Sequence, residues 1–314
     1  MNDMTTQTAA KPTAASPTAA SPTEGGPTAS RPTPSKAIPV YLAIVLGVCY
    51  LLGLLEAITG SGEFYQILGI GFTFIPVIAA FITMRVTHER AKFRLSLRVW
   101  RNARWWALTA LMPGVLIALG AVVYYLVFPE QWSGVFQIGL RLGTDAQIAA
   151  SHPLLIALGC IAVAALLIPI QLLELGEEIG WRGYLLGFQV ERYGERKAAL
   201  ANGVEWGLAH LPLVWFGFNY SLENWGAPWS NMGMMMLTCV VLGVILSHVT
   251  IRTGNCMFAA IVHGVVNVIG ELPVYLSVSL TSGLLGPNPT GLLTMLPLIA
   301  LAVVCFVRLR SARG

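Results

Sequence analysis

Eight apolar stretches, each near the ~20 residues that cross a hydrocarbon core, dominate this chain of 314 residues. They run over roughly 38–58, 66–86, 105–128, 153–176, 198–218, 231–250, 255–275 and 291–308. A bilayer offers backbone polar groups no water, so only helices and closed barrels span it. Continuous apolar runs of this length select helices. Only 11% of the residues are charged, against about 25% in a soluble domain. The expected fold is all-α, a polytopic membrane bundle of about eight transmembrane helices. The fifth stretch is the least apolar, because Asn202, Glu205 and His210 interrupt it. Hydropathy alone would pass over it.

Residues 1–36 differ in kind. Pro-Thr recurs at Pro12, Pro17, Pro22, Pro27 and Pro32 among Ala, Ser and Gly. Such a segment has no apolar bulk to bury and reads as a disordered tail, with no signal-peptide pattern. Residues 37–314 then form the membrane domain. Lys and Arg give it an orientation. Arg85, Arg90, Lys92, Arg94, Arg98, Arg101 and Arg104 follow the second stretch, the densest basic segment of the chain. That loop is expected in the cytoplasm. Counting spans from it puts Arg192, Arg196, Lys197, Arg252, Arg308, Arg310 and Arg313 on the same side, with Arg141 the exception. Both termini are then cytoplasmic, in a multi-pass protein of the cell membrane. The net charge is +4 without a basic stripe, so nucleic acid is not an expected partner. Cys49, Cys160, Cys239, Cys256 and Cys305 all lie in apolar runs and read as buried free thiols.

Three polar groups remain inside the apolar stretches. Ionisable residues at membrane depth are costly and usually serve function. Glu177-Glu178-Ile179-Gly180-Trp181-Arg182 closes the fourth stretch. On a helix Glu178 and Arg182 share a face, while Glu177 points about 100° away. Arg182 can neutralise Glu178 and leave Glu177 available. In the fifth stretch Trp206 and His210 share a face, as do His263 and Asn267 in the seventh. A pocket gathering them could hydrolyse an amide. Glu177 and His210 would share a water, with the carboxylate as general base. His263 and Asn267 would donate to the oxyanion. Glu177, His210 and His263 could equally hold a zinc ion, so a divalent metal and a metal-free site are both open. No H-E-x-x-H or G-x-S-x-G occurs.

E-E-x-x-x-R, aromatic-x-x-x-H and H-x-x-x-N, in this order on successive spans, resemble the CAAX-protease and bacteriocin-processing family, which includes the Rce1-type prenyl endopeptidases. The resemblance covers about residues 150–275. It implies an intramembrane endopeptidase with a site opening toward the cytoplasm. Glu177 would be the activating carboxylate and His210 its partner. His263 and Asn267 would form the oxyanion site, supported by Glu178 and Arg182. Trp206 stands where the family usually has Phe. The substrate would be a protein or peptide arriving from the membrane or the cytoplasmic side, and nothing in the sequence indicates that it is prenylated. Two other classes compete: a non-catalytic immunity or scaffold protein, and a transporter using the same carboxylates. No internal repeat supports the transporter. Glu174, three residues before Glu177, could share the pocket. Glu205, Glu271, His88, His152 and His248 read as pairing or interfacial groups, and Met232, Met234, Met235 and Met236 as packing residues.

Overall fold

The computed structural model describes residues 35–92, 95–137, 148–149, 174–278 and 283–311. The Pro-Thr tail up to residue 34 and the fourth stretch up to residue 173 lie outside the described residues. The helices are α1 (Ala37–Thr59), α2 (Glu63–Phe72), α3 (Ile75–Thr87), α4 (Ala103–Val127), α5 (Leu175–Glu178), α6 (Leu186–Tyr193), α7 (Glu195–Trp215), α8 (Trp229–Thr253), α9 (Met257–Gly270) and α10 (Leu292–Arg308). A π-helical stretch, Ile179–Leu185, joins α5 to α6. The all-α expectation holds, apart from a two-stranded ribbon, β1 (Val135–Phe136) against β2 (Ile148–Ala149).

Each apolar stretch outside the fourth is matched by helix. Four of the described helical segments are long and apolar enough to cross a membrane: Ala37–Thr59, Val99–Val127, Trp229–Thr253 and Met257–Leu276. The pair α2 and α3 makes a fifth span, bent by 67°. α10 is shorter, and α7 is not among them, as its polar residues foretold. The chain is thus a multi-pass membrane protein. The bend has a local cause. Pro76 sits in the first turn of α3, where its missing N–H costs nothing but where it cannot continue α2.

α8 and α9 are central, with 72% and 78% of their spans buried, whereas α1 is 28% buried and faces outward. The outward surface carries Leu51, Leu54, Ile58, Ile70 and Phe81, all exposed, as a lipid-facing surface requires. The four described cysteines, Cys49, Cys239, Cys256 and Cys305, are free and buried, as expected.

The basic segments meet at one end of the bundle. Lys92 pairs with Glu191 at 3.1 Å, Asn255 bonds the Ser96 backbone, and Arg196 donates to the carbonyls of Val307 and Leu309. At the other end Tyr125 donates to the Pro273 carbonyl and Tyr220 to that of Thr290. The site lies between these ends. There Gly176 and Gly180 face the α2–α3 bend. A Cβ on Gly180 would come 2.5 Å from Pro76, and one on Gly176 would run into the Thr73 carbonyl. This Gly-x-x-x-Gly pair lets two backbones touch within the membrane, which fixes the Glu177-Glu178 segment against the bend.

Candidate active site

Glu177 and Glu178 are both buried, and they diverge as their helical offset predicts. Glu178 Oε1 accepts from Arg182 Nη1 at 2.8 Å and from His263 Nδ1 at 3.0 Å. Glu178 and Arg182 are fully enclosed, an ion pair one turn apart. Arg182 also lies over the Trp206 indole, 4.4 Å from the ring centroid. Glu177 Oε2 instead accepts from Trp206 Nε1 at 2.9 Å.

His210 follows Trp206 by one turn of α7, and its Nδ1 lies 2.9 Å from the Trp206 carbonyl. A carbonyl only accepts, so Nδ1 carries the proton and Nε2 is left for other work. Phe72, at the end of α2, stacks against the imidazole with centroids 4.2 Å apart. The bend after Phe72 therefore positions His210 as well as the carboxylates. His263 meets Trp206 edge to face, with ring centroids 5.2 Å apart.

These groups surround a cavity of about 240 Å³. Glu177, His210, His263 and Asn267 all line it, so three stretches of sequence converge as anticipated. Glu178 and Arg182 stand behind the wall, where they hold His263 and Trp206 rather than facing the cavity. Asn267 is exposed, which shows that the cavity is open at its level. The lining continues to Asn219, Asn288 and Thr290, at the end away from the basic loops. Toward the basic end, Trp181, Arg182, Tyr184, Leu185 and Leu186 close the bundle with no more than 1% exposure each. Among the described residues the cavity's lining does not extend to these side chains.

Two members of the site were underrated by sequence. Trp206 is more than an aromatic wall, because its N–H binds Glu177, a bond that Phe cannot make. The Trp itself was the available signal. Glu174 lines the cavity too, with Oε2 3.8 Å from His263 Nε2. Its three-residue spacing from Glu177 had hinted at this.

A metal would find ligands here. Oxygen or nitrogen atoms of Glu174, Glu177 and His263 lie within 4.8 Å of one another, so a small inward shift of these side chains would bring all three to the ~2 Å reach of one divalent ion. Glu178 on His263 Nδ1 supplies the orienting carboxylate that metal-bound imidazoles usually have. The set differs from the expected Glu177, His210 and His263 in replacing His210 by Glu174.

Comparison with known proteins agrees with this reading of the motifs. Residues 151–269 match the family model of type II CAAX prenyl endopeptidase Rce1-like proteins. CAAX prenyl protease 2 of Methanococcus maripaludis is 30% identical over 98 residues, which cover 31% of this chain and 36% of that protein. The match thus spans about a third of the relative's length. The segment that carries all three motifs is thus similar to the Rce1-like CAAX proteases.

Proposed function

We propose that this chain is an intramembrane endopeptidase that hydrolyses a peptide bond with water activated by Glu177. The observation that carries this reading is the convergence of Glu177, His210, His263 and Asn267 on one cavity open beside Asn267. An extended peptide would place its scissile carbonyl near Asn267 and His263, which donate to the developing oxyanion. Water between Glu177 and His210 gives a proton to the carboxylate and a hydrogen bond to His210 Nε2. Trp206 Nε1 holds the carboxylate in register for that transfer. If Glu174, Glu177 and His263 held a divalent ion, its Lewis acidity would take the place of the His263 donor and leave Asn267 on the oxyanion. The peptide reaches the cavity laterally or from the end opposite the basic loops, where Asn267 is exposed.

The test is cleavage of a peptide library by purified wild type and Glu177→Gln in proteoliposomes, with elemental analysis of both. Wild type should cleave and Glu177→Gln should not, with insertion and folding unchanged. Equal cleavage by the two proteins would end the proposal. Ion flux without cleavage would favour a transporter.

A further inference from the structure

A second cleft of about 240 Å³ lies between α4, α8 and α10. α4 and α10 touch at one end, where Gly120 lies against the Thr294 backbone with no room for a Cβ. Toward the basic end they part. Leu108, Met112, Leu298 and Leu301 line the slot between them. Arg104 in the first turn of α4 and Arg308 at the last residue of α10 line its basic end, and both are exposed. His248 reaches the cleft from α8, held by its Nδ1 donating to the Cys305 carbonyl at 3.1 Å. One turn on, Arg252 donates to the Arg308 carbonyl, which brings a third guanidinium to the same place. Among the described residues no carboxylate is within ion-pair reach of Arg104 or Arg308. Glu195 is instead turned to the Arg310 backbone N–H, at 2.8 Å.

An apolar slot that ends at cations with no carboxylate partner among the described residues, on one membrane interface, has the form of a phospholipid site. Acyl chain fits between the helices, and phosphate meets guanidinium groups, which bind it through paired N–H donors. Basic pockets between membrane helices on the cytoplasmic side select anionic headgroups in this way. A zwitterionic lipid would leave the excess positive charge unmatched. We propose that this cleft is a binding site for one anionic phospholipid, with its phosphate at Arg104 and Arg308. The site is separate from the catalytic cavity, although Leu242 lines both and forms part of the wall between them.

The test uses the full chain, reconstituted in vesicles of phosphatidylcholine and phosphatidylglycerol and extracted into mild detergent. Native mass spectrometry reads the lipid retained. Wild type should keep one phosphatidylglycerol in preference to phosphatidylcholine. Arg104→Gln with Arg308→Gln should weaken that retention roughly 30-fold, from on the order of 5-fold for each interfacial arginine. Leu301→Trp, which fills the slot and leaves the charges, should also lose it. Arg85→Gln with Arg98→Gln removes equal charge elsewhere on the basic end and should retain the lipid. Loss of retention in this control, or retention in the Arg104 and Arg308 pair, would overturn the proposal. If Leu301→Trp fails to fold, the two arginine pairs decide the matter alone.

Discussion

Glu178→Gln separates the two adjacent carboxylates by consequence. Glu178 and Arg182 are fully enclosed, and the same carboxylate oxygen also accepts from His263. Removing one partner of a buried pair costs about 3–5 kcal/mol, because the other charge is left without compensation. Gln keeps the shape and one acceptor oxygen, which sets the expected cost near the lower end, ~3 kcal/mol. Each kcal/mol moves the melting temperature of a chain of this size by about 2–4 °C, so Glu178→Gln should melt roughly 6–12 °C lower. Glu177→Gln is the matched control. An amide oxygen at that position still accepts from Trp206 Nε1, and Glu177, unlike Glu178, makes no salt bridge to an arginine among the described residues. Its cost should stay below about 1 kcal/mol. A thermal scan of purified protein in one detergent measures both. Glu178→Gln with Arg182→Met should then recover most of the loss, since Met removes the buried charge that Glu178→Gln leaves uncompensated. Equal melting of the two single variants, or further loss in the double variant, would refute the division into a structural and a working carboxylate.

Trp206→Phe keeps the ring but removes the N–H to Glu177. A bond to a charged group is worth about 1.5–3 kcal/mol, so kcat on any cleaved peptide should fall roughly 10- to 100-fold. Gly180→Ala places a methyl 2.5 Å from Pro76 and should destabilise by about 1–3 kcal/mol in the same thermal scan. The proposed orientation is testable in cells, because the described native cysteines are buried. Cysteine introduced at Glu223, in the exposed loop between α7 and α8, should react with an impermeant maleimide from outside, and at Arg90 only in inverted vesicles.

Much of the bundle was legible because membrane helices are set by length and apolarity, which are local. α1, α4, α8 and α9 begin and end close to the stretches that announce them. The bend between α2 and α3 was not read, although Pro76 stood within the second stretch. Its 67° depends on Gly176 and Gly180, about a hundred residues away, letting backbone approach backbone. The same limit applies to the site. Glu178 with Arg182 is a contact within one turn, and helical spacing found it. Glu177 with Trp206 joins residues 29 apart, and Glu178 with His263 residues 85 apart. No periodicity specifies such pairs. The motif order brought these side chains to one cavity, and the tertiary packing decided which carboxylate each would meet.

His263 cannot fill both roles open to it, and this makes the metal question decidable. Its Nδ1 proton is given to Glu178. A metal on Nε2 needs that nitrogen's lone pair, whereas donation to an oxyanion needs a proton there. One nitrogen cannot offer both in the same complex. If one divalent ion is bound, Glu174→Gln and His263→Ala should strip it to well below stoichiometric content. His210→Ala should retain it, since His210 stands outside the group of Glu174, Glu177 and His263. Asn267 must then serve the oxyanion without His263, and Asn267→Ala should cost the ~3 kcal/mol of a single donor, about 100-fold in kcat. In a metal-free enzyme Glu174→Gln leaves the water and the oxyanion donors in place and should change kcat far less than His263→Ala does. Metal lost on His210→Ala but kept on Glu174→Gln would overturn the ligand set drawn from the geometry.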